Sequence, residues 1–200
     1  MKRVRNADEE QPDEEGGEDV DKLVTRHEDS IYFYASVSMQ SVIKLLSCVH
    51  EAKRDGIRTI FLHIHSYGGD AFAGLVAYHH LHNEESLHIV TIVDGMAASA
   101  ATFILLAGEE RRAYRFSFVL IHQLTHGIFG KYRDMVDEMN NTHSLMKVFV
   151  RLYKERTSMT PKAIHTLLKS EKALTASQCY SRGIIDAIIS SSSPSSHLSI

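Results

Sequence analysis

Strand-like and helix-like segments alternate along most of this chain, and this alternation is the feature that most restricts its fold. Short runs rich in β-branched and aromatic residues, such as residues 58–65 and 87–93, are each followed by apolar residues at helical spacing. The pattern extends over residues 31–189, with glycines at several of its breaks. Repeated strand–helix units predict an α/β fold with a mostly parallel sheet and surrounding helices.

The longest helical pattern covers residues 133–155. Its apolar positions recur every three or four residues, which predicts an amphipathic helix with one buried side. That side carries Met135, Val136, Met139, Leu145, Met146, Phe149 and Leu152. Two shorter helices are predicted after it, one from the Thr160-Pro161 start signal and one from the capping box of Thr175 and Gln178.

Both ends of the chain differ in composition from the middle. Nine acidic residues lie between Asp8 and Asp21, with few apolar residues to bury. We therefore expect a disordered acidic N-terminal tail over residues 1–27, a single domain over residues 28–189, and a Ser-rich C-terminal tail over residues 190–200. The acidic tail fits a solubilising role or a docking or autoinhibitory arm, and the sequence leaves the two open.

Composition excludes several classes of protein. No apolar run approaches the roughly 20 residues that a membrane-spanning helix needs, so no membrane partner is expected. Outside the acidic tail the charges nearly balance, which gives no support to nucleic-acid binding. The chain has two cysteines, Cys48 and Cys179, too few for a disulfide framework. We expect a cytoplasmic protein.

Thirteen histidines raise the question of a metal site. His122 and His126 have the spacing of a helical zinc motif, but Gln123 stands where that motif has glutamate. The segment is also predicted to be a strand and loop, where residues four apart do not share a face. We therefore expect neither a metal nor another cofactor.

The small-residue segment 95–101 contains the strongest candidate for chemistry, Ser99. A serine among alanines is ordinarily a close-packing device. Here, however, Ser99 follows a predicted buried strand and is predicted to open a helix, where free N–H groups stabilise an anion. Gly69 also follows a strand, so its N–H and that of Ala100 could form an oxyanion hole. His122, at the predicted end of another strand, could act as the general base.

At these positions the chain resembles the proteolytic subunit of Clp protease, the ClpP family. The resemblance covers residues 31–189 and is carried by five segments in the family's order: residues 67–74, 95–99, 121–123, 174–176 and 182–186.

The resemblance implies a crotonase-type α/β fold and a serine endopeptidase that cleaves peptides or unfolded proteins. It implies catalysis by Ser99 and His122, with Glu171 in the place of the family's aspartate. It implies substrate pairing along Gly68 and Gly69 and along residues 124–130, which include Leu124 and Thr125. The helix from Arg133 would be a handle that joins two stacked homo-oligomeric rings.

Several residues depart from the family pattern. Lys169 and Ser170 replace an acidic–arginine pair used in contacts between rings, and Tyr67 and Leu124 each replace a proline. The N-terminal segment that lines the family's axial pore is not recognisable, so an AAA+ unfoldase partner is left open. Two alternative functions also remain at this point. One is a catalytically inactive ClpP-like ring subunit, and the other is a crotonase-type acyl-CoA enzyme.

Overall fold

An eight-stranded sheet organises residues 19–125 and 127–190, the part of the chain that the computed structural model describes. The strands are β1 (Val24–His27), β2 (Ser30–Phe33), β3 (Thr59–Ser66), β4 (His88–Ala98), β5 (Glu110–Tyr114), β6 (Phe118–Leu120), β7 (Leu174–Thr175) and β8 (Ala187–Ile189).

The main path of the sheet runs β1-β2-β3-β4-β5-β8, and β6 pairs with both β4 and β7 beside that path. The pairings β1–β2 and β6–β7 are antiparallel, and the other pairings of these strands are parallel. The predicted α/β fold with a mostly parallel sheet is confirmed.

Seven helices connect or flank these strands within the described residues. They are α1 (Val20–Leu23), α2 (Met39–Arg54), α3 (Ala71–His82), α4 (Ala101–Ala107), α5 (Tyr132–Arg156), α6 (Pro161–Leu168) and α7 (Ala176–Tyr180). The predicted start signals are present. The Thr160 side chain caps α6 ahead of Pro161, and Thr175 forms a capping box with Gln178 at α7.

The core lies between the sheet and the helices α2, α3 and α4. Ile60, Leu62 and Ile64 alternate along β3 and are fully buried, and every residue of α4 is buried as well. The intervening side chains point to the opposite face of the sheet. There His63 and Tyr32 are only half-buried and stack with ring centroids 4.8 Å apart.

The ordered fold begins earlier than the sequence predicted. Residues 19–27 were assigned to the disordered tail, but residues 20–27 form α1 and β1, and β1 pairs with β2 at the edge of the sheet. Val20 and Val24 are buried in the core, which explains how a short segment within an acidic stretch can be ordered. Residues 1–18 and 191–200 lie outside the described residues, so the rest of both predicted tails does too.

The long helix α5 is present, and within the single chain only part of its predicted buried side is buried. Only Phe149, Leu152 and Tyr153, near its C-terminal end, are buried. Met135 and Met139, in its first half, are 38% and 49% exposed. The N-terminal half of α5 therefore has little of the domain to pack against. None of the helices in residues 19–125 and 127–190 is long and apolar enough to cross a membrane.

Candidate active site

Ser99 lies at a tight turn between the end of β4 and the start of α4. The sequence predicted that the strand ends near Val93 and that Ser99 opens a helix. Instead, β4 continues to Ala98, because β6 pairs with residues Met96, Ala97 and Ala98. The helix begins only at Ala101. Ser99 thus occupies the turn itself, with its hydroxyl at the carboxyl end of a central strand.

The backbone of Ser99 adopts a left-handed conformation with φ of 53°. A residue with a β-carbon pays of the order of 1–3 kcal/mol for such a conformation, so the surrounding structure must hold it there. The N–H of Ser99 donates to the carbonyl of Leu120 at 2.9 Å, and the Ser99 carbonyl accepts from the N–H of Thr102 at 2.9 Å. Strained backbone held in this way is concentrated at functional sites.

A second turn, Gly68-Gly69, packs directly against the Ser99 turn. A β-carbon on Gly68 would lie 2.7 Å from the carbonyl oxygen of Ala98 and from the β-carbon of Ser99, so only glycine allows this approach. On its other side this turn pairs with Val37, whose N–H donates to the Gly68 carbonyl at 2.8 Å. The N–H groups of Gly69 and Ala100 donate to no acceptor in residues 19–125 and 127–190. Both remain available to a ligand.

His122 and Glu171 are brought together by the antiparallel pairing of β6 with β7. His122 lies two residues beyond β6, and Glu171 lies between α6 and β7. The Nδ1 atom of His122 is 3.3 Å from each carboxylate oxygen of Glu171. This is a long hydrogen bond. The histidine side chain is 19% exposed and the glutamate side chain 71% exposed.

The Ser99 and His122 segments are neighbours through the backbone. The hydrogen bond from Ser99 N–H to the Leu120 carbonyl places His122 two residues from the partner of Ser99. The described residues contain no hydrogen bond between the Ser99 hydroxyl and His122. Catalytic hydrogen bonds of this kind commonly tighten only when substrate binds.

A cavity of about 350 Å³ adjoins the Gly68-Gly69 turn. Three of the four residues predicted to bind substrate line it, namely Gly69, Leu124 and Thr125, whereas Gly68 does not. The sequence analysis missed the walls that α3 and α5 supply. These include Phe72, Asn141, Thr142 and Leu145. Leu145 had a helical-spacing signal, but nothing in the sequence marked Asn141 or Thr142.

Two other carboxylates that could be alternatives to Glu171, those of Asp186 and Asp134, form hydrogen bonds with other groups. Asp186 binds Arg111 through both oxygens, with contacts of 2.6 and 3.0 Å. Burial disfavours the charged carboxylate, but the bonds from Arg111 outweigh it and lower the pKa of Asp186. Asp134 accepts from the backbone N–H of Lys131 at the start of α5. Of these three carboxylates, that of Glu171 is the one that contacts His122.

The cysteines do not offer an alternative nucleophile. Cys48 and Cys179 are both buried and unbridged. Burial raises the pKa of Cys179 to about 12, so this thiol stays protonated near neutral pH.

No metal-binding cluster is found in the described part of the chain. No three His, Cys, Asp or Glu side chains there are close enough to hold an ion. His126 lies outside the described residues, so the His122–His126 spacing is not tested by the structure.

Comparison with known proteins identifies the family. The family model described as Clp protease matches residues 16–192. The chain belongs to the Clp protease family. This membership agrees with the resemblance found in the sequence, and the mixed α/β fold with a mostly parallel sheet is consistent with a Clp-type fold. It also implies that the protein is a peptidase.

Curated relatives of the Clp family extend over most of the chain at low to moderate identity. An ATP-dependent Clp protease proteolytic subunit from Ostreococcus tauri is 34% identical over 136 residues, which are 67% of this chain and 68% of that protein. The subunit from Pleurastrum terricola is 25% identical over 181 residues, covering 88% and 92% of the two chains. The subunit 2 from Mycolicibacterium paratuberculosis (strain ATCC BAA-968 / K-10) is 30% identical over 140 residues, covering 69% and 70%. This chain is therefore a divergent member.

Proposed function

We propose that this protein is a serine endopeptidase that cleaves peptide bonds in peptides or unfolded proteins. The observation that carries the proposal is the position of Ser99. It occupies a left-handed turn between β4 and α4, against Gly68 and next to the segment that holds His122. In a member of the Clp family, this serine is the group best placed to attack a carbonyl carbon.

The proposed mechanism is acyl transfer in two steps. Glu171 contacts Nδ1 of His122, which leaves Nε2 to accept the proton of the Ser99 hydroxyl as it attacks the scissile carbonyl. The N–H groups of Gly69 and Ala100 stabilise the oxyanion, and protonated His122 gives its proton to the leaving amine. Water then attacks the acyl-enzyme, with His122 again as the base. Glu171 orients the imidazole and stabilises its charge.

Substrate binding follows from the turns around Ser99. We propose that an extended peptide lies along Gly68 and Gly69 on one side and along Leu124 and Thr125 on the other. The cavity that adjoins this path would take one substrate side chain.

The proposal includes assembly into stacked rings. The exposed apolar residues on the first half of α5, including Met135 and Met139, support this, because such surface is ordinarily covered. Since the relatives are named ATP-dependent, an ATP-dependent unfoldase is a proposed partner.

Labelling with a fluorophosphonate tests the proposed nucleophile. We expect the wild-type protein to be labelled and to cleave an unstructured peptide, and Ser99→Ala to lose both properties. Ser181→Ala is the matched control, because the Ser181 hydroxyl is accessible to the reagent and bonds only the Gln178 carbonyl at the end of α7. It should be labelled like the wild type. Labelling that persists in Ser99→Ala would contradict the assignment. An assembled wild-type protein that is never labelled would favour the catalytically inactive ring subunit.

A further inference from the structure

Two buried hydroxyl groups form a hydrogen-bonded chain that ends on the carbonyl of Ser99. Thr102, in the first turn of α4, donates from Oγ1 to the carbonyl oxygen of Ser99 at 2.6 Å. The phenol of Tyr153, from α5, lies 2.7 Å from the same Oγ1. Thr102 is fully buried, and Tyr153 is among the largest fully buried side chains of the core. The segment that carries Ser99 is thus connected to α5 through Tyr153, which lies 51 residues after Thr102 in the chain.

The donor and the acceptor of each hydrogen bond in this chain follow from the number of protons that each group carries. A carbonyl oxygen can only accept, so the hydroxyl of Thr102 must give its single proton to Ser99. Its oxygen is then the acceptor for the phenol of Tyr153, which donates. Burial raises the pKa of Tyr153, so the phenol keeps the proton that it donates. Each member polarises the next.

The acceptor of this chain belongs to the same peptide unit as a proposed oxyanion donor. The carbonyl of Ser99 and the N–H of Ala100 share one planar peptide group, and the described residues contain no cis peptide bond. In a trans peptide these two groups point in opposite directions. Bonds from the hydroxyl and the N–H of Thr102 hold the Ser99 carbonyl toward the core side. The Ala100 N–H is therefore held pointing away from it.

We propose that Thr102 and Tyr153 are positioning residues that orient the Ala100 N–H toward the oxyanion of the reaction. The inference rests on the proposed function, and it goes beyond it by assigning a role to two residues that touch neither substrate nor reacting atoms. It also makes the C-terminal part of α5 a structural support for catalysis. Rotation of the Ser99–Ala100 peptide would leave substrate binding intact and weaken only transition-state stabilisation.

Four variants test the proposal in the assembled full-length protein. Tyr153→Phe removes only the phenol oxygen, Thr102→Val removes the hydroxyl at nearly constant volume, and Thr102→Ser restores it. Thr91→Val is the matched control. The hydroxyl of Thr91 is also fully buried and donates to a carbonyl of the same helix α4, that of Leu105, at 2.8 Å, but it has no connection to Ser99.

The measurements are kcat, KM and the rate of fluorophosphonate labelling, with thermal unfolding recorded for each variant. Complete loss of one oxyanion donor costs about 10²–10³-fold in kcat, so misorientation of the donor should cost less. We expect Thr102→Val to lower kcat and the labelling rate about 10-fold and Tyr153→Phe about 3-fold, with KM changed less than about 2-fold. Thr102→Ser should recover most of the rate.

Two results would overturn the inference by different routes. A labelled wild type in which Thr102→Val and Tyr153→Phe react at the rate of Thr91→Val would refute the positioning role alone. A wild type that is not labelled would overturn the proposed function and this inference with it. If Thr102→Val does not fold, Tyr153→Phe carries the test, because it keeps the ring and hence the packing.

Discussion

At the scale of single residues, Glu171 is the proposed catalytic acid, and it would differ from the usual acid of a triad because most of its side chain is exposed to solvent. It is one methylene longer than aspartate, and its carboxylate contacts the His122 Nδ1 atom at 3.3 Å with 71% of the side chain exposed. Water and salt screen an exposed charge, so its stabilisation of a developing imidazolium is smaller than that from a buried carboxylate. Its main contribution should therefore be to orient the ring.

We predict that Glu171→Gln lowers kcat by about 10²-fold, which is less than the loss at a buried triad aspartate, with KM nearly unchanged. The amide can no longer accept the Nδ1–H bond with a charged oxygen, so the productive tautomer is less favoured. Steady-state hydrolysis of a fluorogenic peptide measures kcat and KM.

Glu109→Gln is the control, because Glu109 makes a 3.2 Å contact to Nδ1 of His88 away from the site. Glu171→Asp should keep part of the activity. Equal turnover in Glu171→Gln and Glu109→Gln would show that Ser99 and His122 act without this acid.

The residues of the candidate site were predicted from two kinds of signal. Ser99 and His122 were predicted from small residues and strand ends, which are local signals, whereas Glu171 was predicted only from the family resemblance. The structure brings His122 and Glu171 into contact, and their catalytic roles stay predictions. The positive φ of Ser99 was not predictable, because serine is not a residue that favours the left-handed region. The contact of Thr102 with Tyr153 joins distant residues without any periodic relation, so only the fold reveals it.

At the scale of elements, the main difference from the sequence prediction is the length of β4. Asp94-Gly95 is a turn signal, and the strand was therefore predicted to end there. In the structure Gly95 serves a close approach instead, since a β-carbon on it would lie 2.7 Å from Nδ1 of His65. The strand continues along β6 to Ala98. Local signals could not distinguish these two uses of glycine, because the neighbouring strand is distant in sequence.

The packing of the Gly68 turn against the Ser99 turn gives a prediction at this scale. Gly68→Ala should abolish labelling of Ser99 and lower the free energy of unfolding by about 2–3 kcal/mol, from backbone strain at φ of 96° together with the clash. Gly56→Ala is the matched control, with φ of 79° and no atom within 4 Å of the added carbon. It should show the strain cost alone and normal labelling. Chemical denaturation and labelling rates measure both effects. Equal behaviour of the two variants would contradict the proposed contact between the turns.

At the scale of the whole molecule, the alternation of strands and helices predicted the fold class. It did not predict the N-terminal boundary of the fold or the surface that covers the apolar face of α5. The N-terminal boundary was misplaced because the acidic residues outweighed the few apolar residues that β1 and α1 bury, Val20 and Val24. The pattern on α5 predicted an apolar face correctly, but it could not tell whether the domain itself covers that face. Periodicity shows that a face is apolar and does not identify its partner.

We predict that the exposed apolar residues of α5 hold the proposed rings together. A Met135→Glu, Met139→Glu double variant should yield smaller particles in sedimentation velocity at micromolar concentration, because it places two charges in an apolar contact. Met39→Glu is the control. Met39 is 46% exposed, close to the 49% of Met139, and it lies at the start of α2, where an acidic residue is favourable. A double variant that sediments like the wild type would contradict this role of α5.

The small β6–β7 unit has a further consequence for how the protein can lose its activity. This unit carries the His122 and Glu171 segments. It is joined to the large sheet through three residue pairs with β4 and through bonds such as Ser99 N–H to the Leu120 carbonyl. The proposed nucleophile and both proposed oxyanion donors lie instead in the turns that follow β3 and β4 of the large sheet. Separating these pairings also exposes the buried side chains of the unit, Val119, Ile121 and Leu174, but this is a small part of the core and should cost less free energy than unfolding all of it.

We therefore predict that the His122 and Glu171 segments can detach together while the main sheet stays folded. In such an opened state the amide hydrogen of Ser99 should exchange with solvent long before those of β3, and circular dichroism should register almost no change. Activity and global stability would then fail at different temperatures, with the loss of activity occurring first.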